Sequence, residues 1–209
     1  MKTRLESDLL DYESKYTEND VLKNKLDITD SNKLEEVERK ITAIRLANLY
    51  MNPEIVKQTF DVKHYLGIHG YLFNGIYDFA GQIRSEVIAK RTTFCLPQYI
   101  YNSLDATLAD ARRKARSLKT RESLIDYIAT LYSDLNVIHP FREGNGRCGR
   151  EFIRQYTDAV CQINNLEPFE FDYSAVDKQE FINAVIEANI GSNDSLKSMF
   201  TTMAKGRNR

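Results

Sequence analysis

The chain has 209 residues, 29 basic and 30 acidic, for a formal net charge of −1; 42% are hydrophobic and 28% charged. That balance suits one soluble domain around a single core and offers no bulk basic surface for nucleic acid. No apolar run approaches a membrane span, and residues 1–8 are charged where a signal peptide would be apolar, so the expectation is a cytoplasmic protein with no membrane partner and no direct nucleic-acid binding.

Residues 1–30 read as an N-terminal arm, residues 31–204 as the domain, and residues 205–209 as a frayed basic tail. The leader is polar, with Tyr12, Tyr16, Val21, Leu22 and Leu26 as its apolar points; such a segment is either disordered or lies over the domain. Asp30, Ser31 and Asn32 supply N-cap chemistry, and Asn32 with Glu35 has capping-box spacing. Leu34, Val37, Ile41 and Ile44 then predict one helix face, ending near Tyr50. A second helix is predicted over residues 61–79, with Tyr65, Leu66, His69, Leu72, Phe73 and Ile76 on its apolar stripe and Gly81 closing it. His69 on that stripe reads as a hydrogen-bonded core histidine.

Residues 84–96 change character. Val87 and Ile88 precede a polar Lys90-Arg91 turn, and Thr92, Thr93, Phe94 and Cys95 follow it, which predicts a short β-hairpin. A helix over residues 98–118 ends in Arg112, Arg113, Lys114 and Arg116, cations that favour a helix C-terminus. Thr120 caps the next helix, marked by Leu124, Ile128, Leu131, Leu135 and Ile138. Pro140 ends it and restricts His139 to an extended conformation. Phe152, Tyr156 and Val160 mark another helix beginning near Gly146. Residues 168–173 alternate like a short strand that either lines a pocket or edges the core. Phe181, Ile182, Val185 and Ile186, then Leu196, Met199 and Phe200, mark two last helices. The fold class is therefore all-α, mainly helical, with one short β-hairpin. Cys95, Cys148 and Cys161 are an odd set without repeated spacing, which predicts free thiols in a reducing compartment.

Between the two central helices lies His139-Pro140-Phe141-Arg142-Glu143-Gly144-Asn145-Gly146-Arg147-Cys148-Gly149-Arg150. A glycine-rich loop feeding a helix N-terminus is an anion site, since the first N–H groups are unpaired and the dipole end is positive. Gly144 and Gly146 are expected to let a phosphate approach the backbone. Arg147, Arg150 and Arg154 share one helix face, and arginine forks suit phosphate oxygens. Glu143 is the acid among these cations, suited to Mg²⁺ bound through one carboxylate and substrate phosphates. His139 at the loop entrance is the candidate general base. Cys148 reads as packing or a partly exposed thiol.

This run resembles the signature of Fic-domain proteins, His-Pro-Phe-x-(Asp/Glu)-Gly-Asn-Gly-Arg-x-x-Arg, at every fixed position, and the similarity extends over roughly residues 12–203. The resemblance implies the helical Fic fold and an enzyme that moves AMP from ATP to a Ser, Thr or Tyr hydroxyl of a target protein. It implies His139 as base, Glu143 as the Mg²⁺ ligand, Asn145 on the α-phosphate, Arg147 on the β-phosphate and Arg150 on the γ-phosphate, with Phe141 as a core anchor. The hairpin would be the flap that docks the target, with Lys90 and Phe94 as contacts. Many such enzymes are held off by a helix carrying (Ser/Thr)-x-x-x-Glu-(Gly/Asn), whose Glu pairs with the second signature arginine, here Arg150. Ser14-Lys15-Tyr16-Thr17-Glu18-Asn19 matches in form but lacks a helical pattern, so a separate small antitoxin is expected and the chain reads as a toxin. Two alternatives stand beside this. One is phosphotransfer from ATP, although that branch carries Lys at the position of Gly146. The other is a non-catalytic nucleotide-binding scaffold, which would need neither His139 nor Glu143.

Overall fold

The computed structural model describes residues 16–90 and 92–207, without side chains at residues 89–93. Its described residues hold seven α-helices: α1 Ser31–Met51, α2 Val62–Phe73, α3 Pro97–Lys114, α4 Arg121–Ile138, α5 Asn145–Asn164, α6 Lys178–Asn189 and α7 Asp194–Met203. Three short antiparallel ribbons accompany them: β1 Thr17–Glu18 with β2 Val21–Leu22, β3 Ala89–Lys90 with β4 Thr92–Thr93, and β5 Phe169–Phe171 with β6 Ala204–Gly206. The mainly helical class with a small hairpin is as the sequence predicts. None of the described helices is long and apolar enough to cross a membrane.

Helix α5 is the axis of the domain. Its Phe152, Ile153, Tyr156 and Val160 are fully buried, and α2 and α4 pack on it. Tyr65 of α2 stacks parallel to Phe141 at 5.7 Å and meets Phe152 edge-on at 5.3 Å, so one aromatic cluster joins α2, α5 and the loop before α5. Helix α4 is capped by Thr120 and Ser123, each side chain accepting from the other's backbone N–H. All three cysteines are unpaired, and buried Cys148 donates its thiol to the Tyr65 carbonyl at 3.4 Å.

Several local expectations are corrected. The N-cap of α1 is Asp30, whose carboxylate accepts from Lys33 N–H at 2.7 Å. The buried stripe of α1 is Leu34, Glu38, Thr42 and Leu49, rotated from the predicted face, and Ile44 is 63% exposed. Helix α2 stops at Phe73, six residues early. Arg45 of α1 takes up its last carbonyls, donating to Tyr71 O at 3.1 Å, Leu72 O at 3.0 Å and Asn74 O at 2.5 Å. Gly81 does not close that helix; it lies against it, where an added Cβ would sit 3.2 Å from the Gly70 Cα. Nor does the start of the tail fray. Lys205 and Gly206 pair in β6 with β5, while Lys205 bridges Asp172 at 3.1 Å and Arg207 bridges Asp158 at 3.1 Å.

The described part of the arm is a tight β1–β2 hairpin against the domain. Val21 is buried, Tyr16 meets Phe79 edge-on at 5.7 Å, and Lys25 N–H donates to Ile76 O at 2.8 Å. Thr17 and Glu18 are thus extended; Ser14 and Lys15 of the motif-like segment lie outside the described residues.

Candidate active site

The loop between α4 and α5 is held by backbone-directed side chains. His139 does not take the extended conformation expected before Pro140. It is left-handed, with φ 46° and ψ 61°, a conformation that costs a non-glycine residue free energy. Arg84 explains how that shape persists. Its guanidinium, on a residue only 3% exposed, donates Nε–H to His139 O at 2.8 Å and Nη2–H to Cys95 O at 2.7 Å, and Nη1–H to Glu86 O. Its backbone N–H donates to Pro140 O at 2.8 Å, and Cys95 N–H to Val137 O at 3.0 Å. One buried arginine therefore sews both feet of the β3–β4 hairpin to the His139 turn.

The imidazole of His139 is oriented from two sides. Its Nδ1 lies 3.2 Å from the Asn136 carbonyl, which can only accept, so Nδ1 is the donor and Nε2 is the ring nitrogen left for other chemistry. Its ring stacks on Phe94 at 3.8 Å and 15°. Phe94, expected as a target contact, is 8% exposed; its ring stacks on His139 and it also borders the cleft beside that histidine. Lys90 ends strand β3, opposite Thr92, and its side chain lies outside the described residues.

Phe141 and Asn145 close the loop. Phe141 N–H donates to Asn145 Oδ1 at 2.9 Å, and Asn145 Nδ2 donates back to Phe141 O at 2.8 Å. The Asn145 side chain is therefore first a clasp. His69 clamps the other end. Gly81 N–H donates to its Nδ1 at 2.8 Å, so Nε2 bears the proton and donates to Glu143 O at 2.9 Å. Burial, with help from the Arg147 cation, depresses its pKa to about 4, so it stays neutral. His69 is the core histidine predicted, and it also fixes the loop: its ring stacks on Phe141 at 3.7 Å.

Both glycines also serve the packing of the site. At Gly144, with φ 82°, an added Cβ would lie 2.2 Å from Phe73 Cζ, so its bare side faces the core. At Gly146 the Cβ would lie 3.2 Å from Arg150 Nη1; the missing side chain makes room for that guanidinium.

The three arginines are not an equivalent ladder. Arg154 is neutralised by Glu151 at 2.5 Å and Asp158 at 3.0 Å. Arg147 is held by buried Glu38 at 2.5 Å, with Glu143 Oε1 at 3.5 Å. Arg150 lies over the Tyr173 ring at 5.5 Å, and among the described residues no carboxylate pairs with it. The Glu143 carboxylate accepts from Gly144 N–H at 2.8 Å, and its side chain is 38% exposed. Among the described residues no cluster of three or more His, Cys, Asp or Glu could cage a metal. A single half-open carboxylate at a helix N-terminus fits Mg²⁺ that arrives with a nucleotide and keeps phosphate and water ligands.

Two clefts meet here. A polar one of about 600 Å³ is bordered by Glu38, Tyr77, Glu143, Arg147, Arg150 and Lys178. A more apolar one of about 480 Å³ is bordered by Phe94, Tyr132, Asn136, His139, Phe181 and Ile182, and again by Arg150 and Lys178. Residues 169–171 border a third cavity, which Arg147 and Arg150 also line. Sequence reasoning missed Arg84, Glu38 and Tyr77. The available signal for Glu38 was its register, four residues from Leu34 and from Thr42.

The helical scaffold, the signature loop and the hairpin together define a Fic-type protein. A model of the Fic/DOC family matches residues 59–157. A probable protein adenylyltransferase of Sinorhizobium fredii is 31% identical over 175 residues, covering 82% of this chain and 84% of that protein. The probable protein adenylyltransferase Fic of Escherichia coli is 26% identical, covering 87% of this chain and 86% of that one. The N-terminal Fic domain of a Bartonella quintana cell filamentation protein superposes with a TM-score of 0.78 at 23% identity, over 92% of this chain and 91% of that chain. BepC of Bartonella tribocorum, solved with AMPPNP, gives a TM-score of 0.74 at 24% identity, over 90% and 94% of the two chains. The chain belongs to the Fic/DOC family.

Proposed function

We propose that this chain is a protein adenylyltransferase that moves AMP from ATP to a Ser, Thr or Tyr hydroxyl of a target protein. The observation that carries the reading is the pair of clefts joined at Arg150, with His139 on one and Glu143 and Arg147 on the other. ATP laid across them puts its triphosphate in the polar cleft and its base in the apolar one. The α-phosphorus then falls near His139. The relatives named adenylyltransferases, and a neighbour crystallised with an ATP analogue, support the same nucleotide.

The acceptor hydroxyl gives its proton to Nε2 of His139 as its oxygen attacks the α-phosphorus. The new O–P bond replaces the bond to the β-phosphate, and pyrophosphate leaves. Arg147 and Arg150, with the first N–H groups of α5, hold the β- and γ-phosphates, so the reaction proceeds by positioning and charge stabilisation. Asn145 keeps the loop shaped around the α-phosphate. When bound at Glu143, Mg²⁺ supplies neutralisation of the departing charge. The β3–β4 hairpin presents an extended segment of the target through main-chain hydrogen bonds, with Lys90 beside it.

Regulation by a separate antitoxin completes the reading and makes the chain a toxin, held in a reducing cytoplasm. An inhibitory Glu from that partner takes Arg150, the signature arginine with no carboxylate partner among the described residues. Incubating the chain and a cell lysate with α-labelled or γ-labelled ATP tests the reaction. Adenylyl transfer labels protein only from the α position. Lysate kinases label protein from the γ position on their own, so only γ-label that exceeds a lysate without the chain and is lost in His139→Ala would instead establish phosphotransfer. No label beyond that control from either position would favour the scaffold.

A further inference from the structure

The polar cleft contains a carboxylate that the reaction above does not use. Glu38 of α1 is 5% exposed and faces inward. Its Oε1 accepts from Arg147 Nη2 at 2.5 Å, and its Oε2 accepts from the Tyr77 hydroxyl. Thr42, one turn further along α1, accepts from Arg147 Nη1 at 3.3 Å, and the guanidinium lies over the Phe73 ring at 4.9 Å. The Tyr77 phenol is pushed far above its usual range by burial and by Glu38, so it remains a donor at any working pH. Glu38 lies outside residues 59–157, the stretch that matches the family model.

We propose that Glu38 is a positioning residue that holds Arg147 away from Glu143 and so keeps the Glu143 carboxylate available to Mg²⁺. The proposal rests on the adenylyltransferase reading. The two carboxylates compete for one guanidinium, Glu38 at 2.5 Å and Glu143 at 3.5 Å. A buried charged hydrogen bond anchored by a second donor holds its partner more firmly than a half-exposed pair. With Glu38 made neutral, Arg147 moves the remaining distance to Glu143. That pairing costs the metal its ligand and the leaving phosphates their cation at once. Removing an outer group that orients a ligand commonly costs about ten- to a hundredfold in metal affinity or activity.

Calorimetry of ATP binding at low and at high magnesium tests this on wild type, Glu38→Gln, Arg147→Ala and the double variant. Glu38→Gln is expected to weaken binding about tenfold or more at low magnesium, with much of the loss recovered at high magnesium. In the Arg147→Ala background the same change is expected to add nothing. Wild-type-like binding by Glu38→Gln, a loss that magnesium does not recover, or losses that multiply in the double variant would each overturn the positioning role. Melting curves accompany the titrations. If Glu38→Gln does not fold, Tyr77→Phe, which keeps the charge and removes the second anchor, must show the same magnesium-dependent weakening in smaller measure; its absence overturns the proposal. A wild type that binds no nucleotide overturns the functional reading together with this one, whereas normal wild-type binding with an indifferent Glu38 overturns this one alone.

Discussion

The guanidinium of Arg84 donates its Nε–H to the carbonyl oxygen of His139 at 2.8 Å, and the same group reaches Cys95 O across the hairpin at 2.7 Å. The proposed base and the hairpin proposed to dock the target are thus set by one side chain. Arg84→Lys keeps the charge but replaces a planar fork with a point donor that cannot span both carbonyls. The expected result is a fall of roughly tenfold or more in kcat for AMP transfer, with little change in ATP affinity, because geometry at the reacting atoms is lost and the phosphate grip is not. Steady-state kinetics beside ATP calorimetry separates the two, and an unchanged kcat would detach Arg84 from the base.

Gly144→Ala tests the packing of the loop. The substitution places a Cβ 2.2 Å from Phe73 Cζ at a backbone φ of 82°. Left-handed strain and overpacking together are expected to cost about 2–4 kcal/mol, with a lowered melting temperature. Denaturant unfolding measures it. A neutral result would mean that the loop relaxes away from Phe73.

Acid should loosen the same region. His69 is neutral in the fold with a pKa depressed by burial to about 4, against an ordinary value of 6.5. The unfolded chain therefore binds more protons between those values. Its contribution of about 3 kcal/mol is complete above pH 6.5 and is lost as pH falls toward 4. His64 is depressed by burial in the same direction and adds to the loss. Unfolding free energies measured from pH 7 to pH 4 should fall, and His69→Gln should flatten the slope.

How much of this could be read from residues alone follows from what each residue faces. The signature loop was legible because its chemistry is concentrated in twelve consecutive positions, and α4 and α5 because their apolar residues recur at helical spacing. Helix α1 misled because half of its buried stripe is Glu38 and Thr42, polar residues buried to serve Arg147, so the apolar pattern pointed to a neighbouring face that includes exposed Ile44. The apolar pattern of α2 runs on past its end because that end is made by Arg45, a residue of another helix. The tail looked frayed because its strand partner lies more than thirty residues upstream, at Phe169–Phe171. Arg84 gave no local signal at all: a lone arginine before a hairpin becomes meaningful only when four carbonyls converge on it.

On the proposed reading, Arg150 is the residue that tells ATP from ADP. Its guanidinium folds over Gly146 and borders both clefts. Arg150→Ala should weaken ATP binding by roughly ten- to a hundredfold, the worth of a charge-assisted contact, and should weaken ADP binding much less. Calorimetry with both nucleotides decides it. Equal losses would take Arg150 off the γ-phosphate and remove the point where an antitoxin Glu is proposed to act.

The most direct measurement is transfer of label from α-labelled ATP by wild type and by His139→Ala, with ATP binding measured on both. A positioned base commonly contributes about 10²–10⁴ in rate. The wild type should label a protein target. The variant should bind ATP normally and transfer label slower by about that factor, since the role proposed for His139 is on the hydroxyl and not on the triphosphate. Equal labelling by the two proteins would contradict the assignment of His139 and the mechanism built on it.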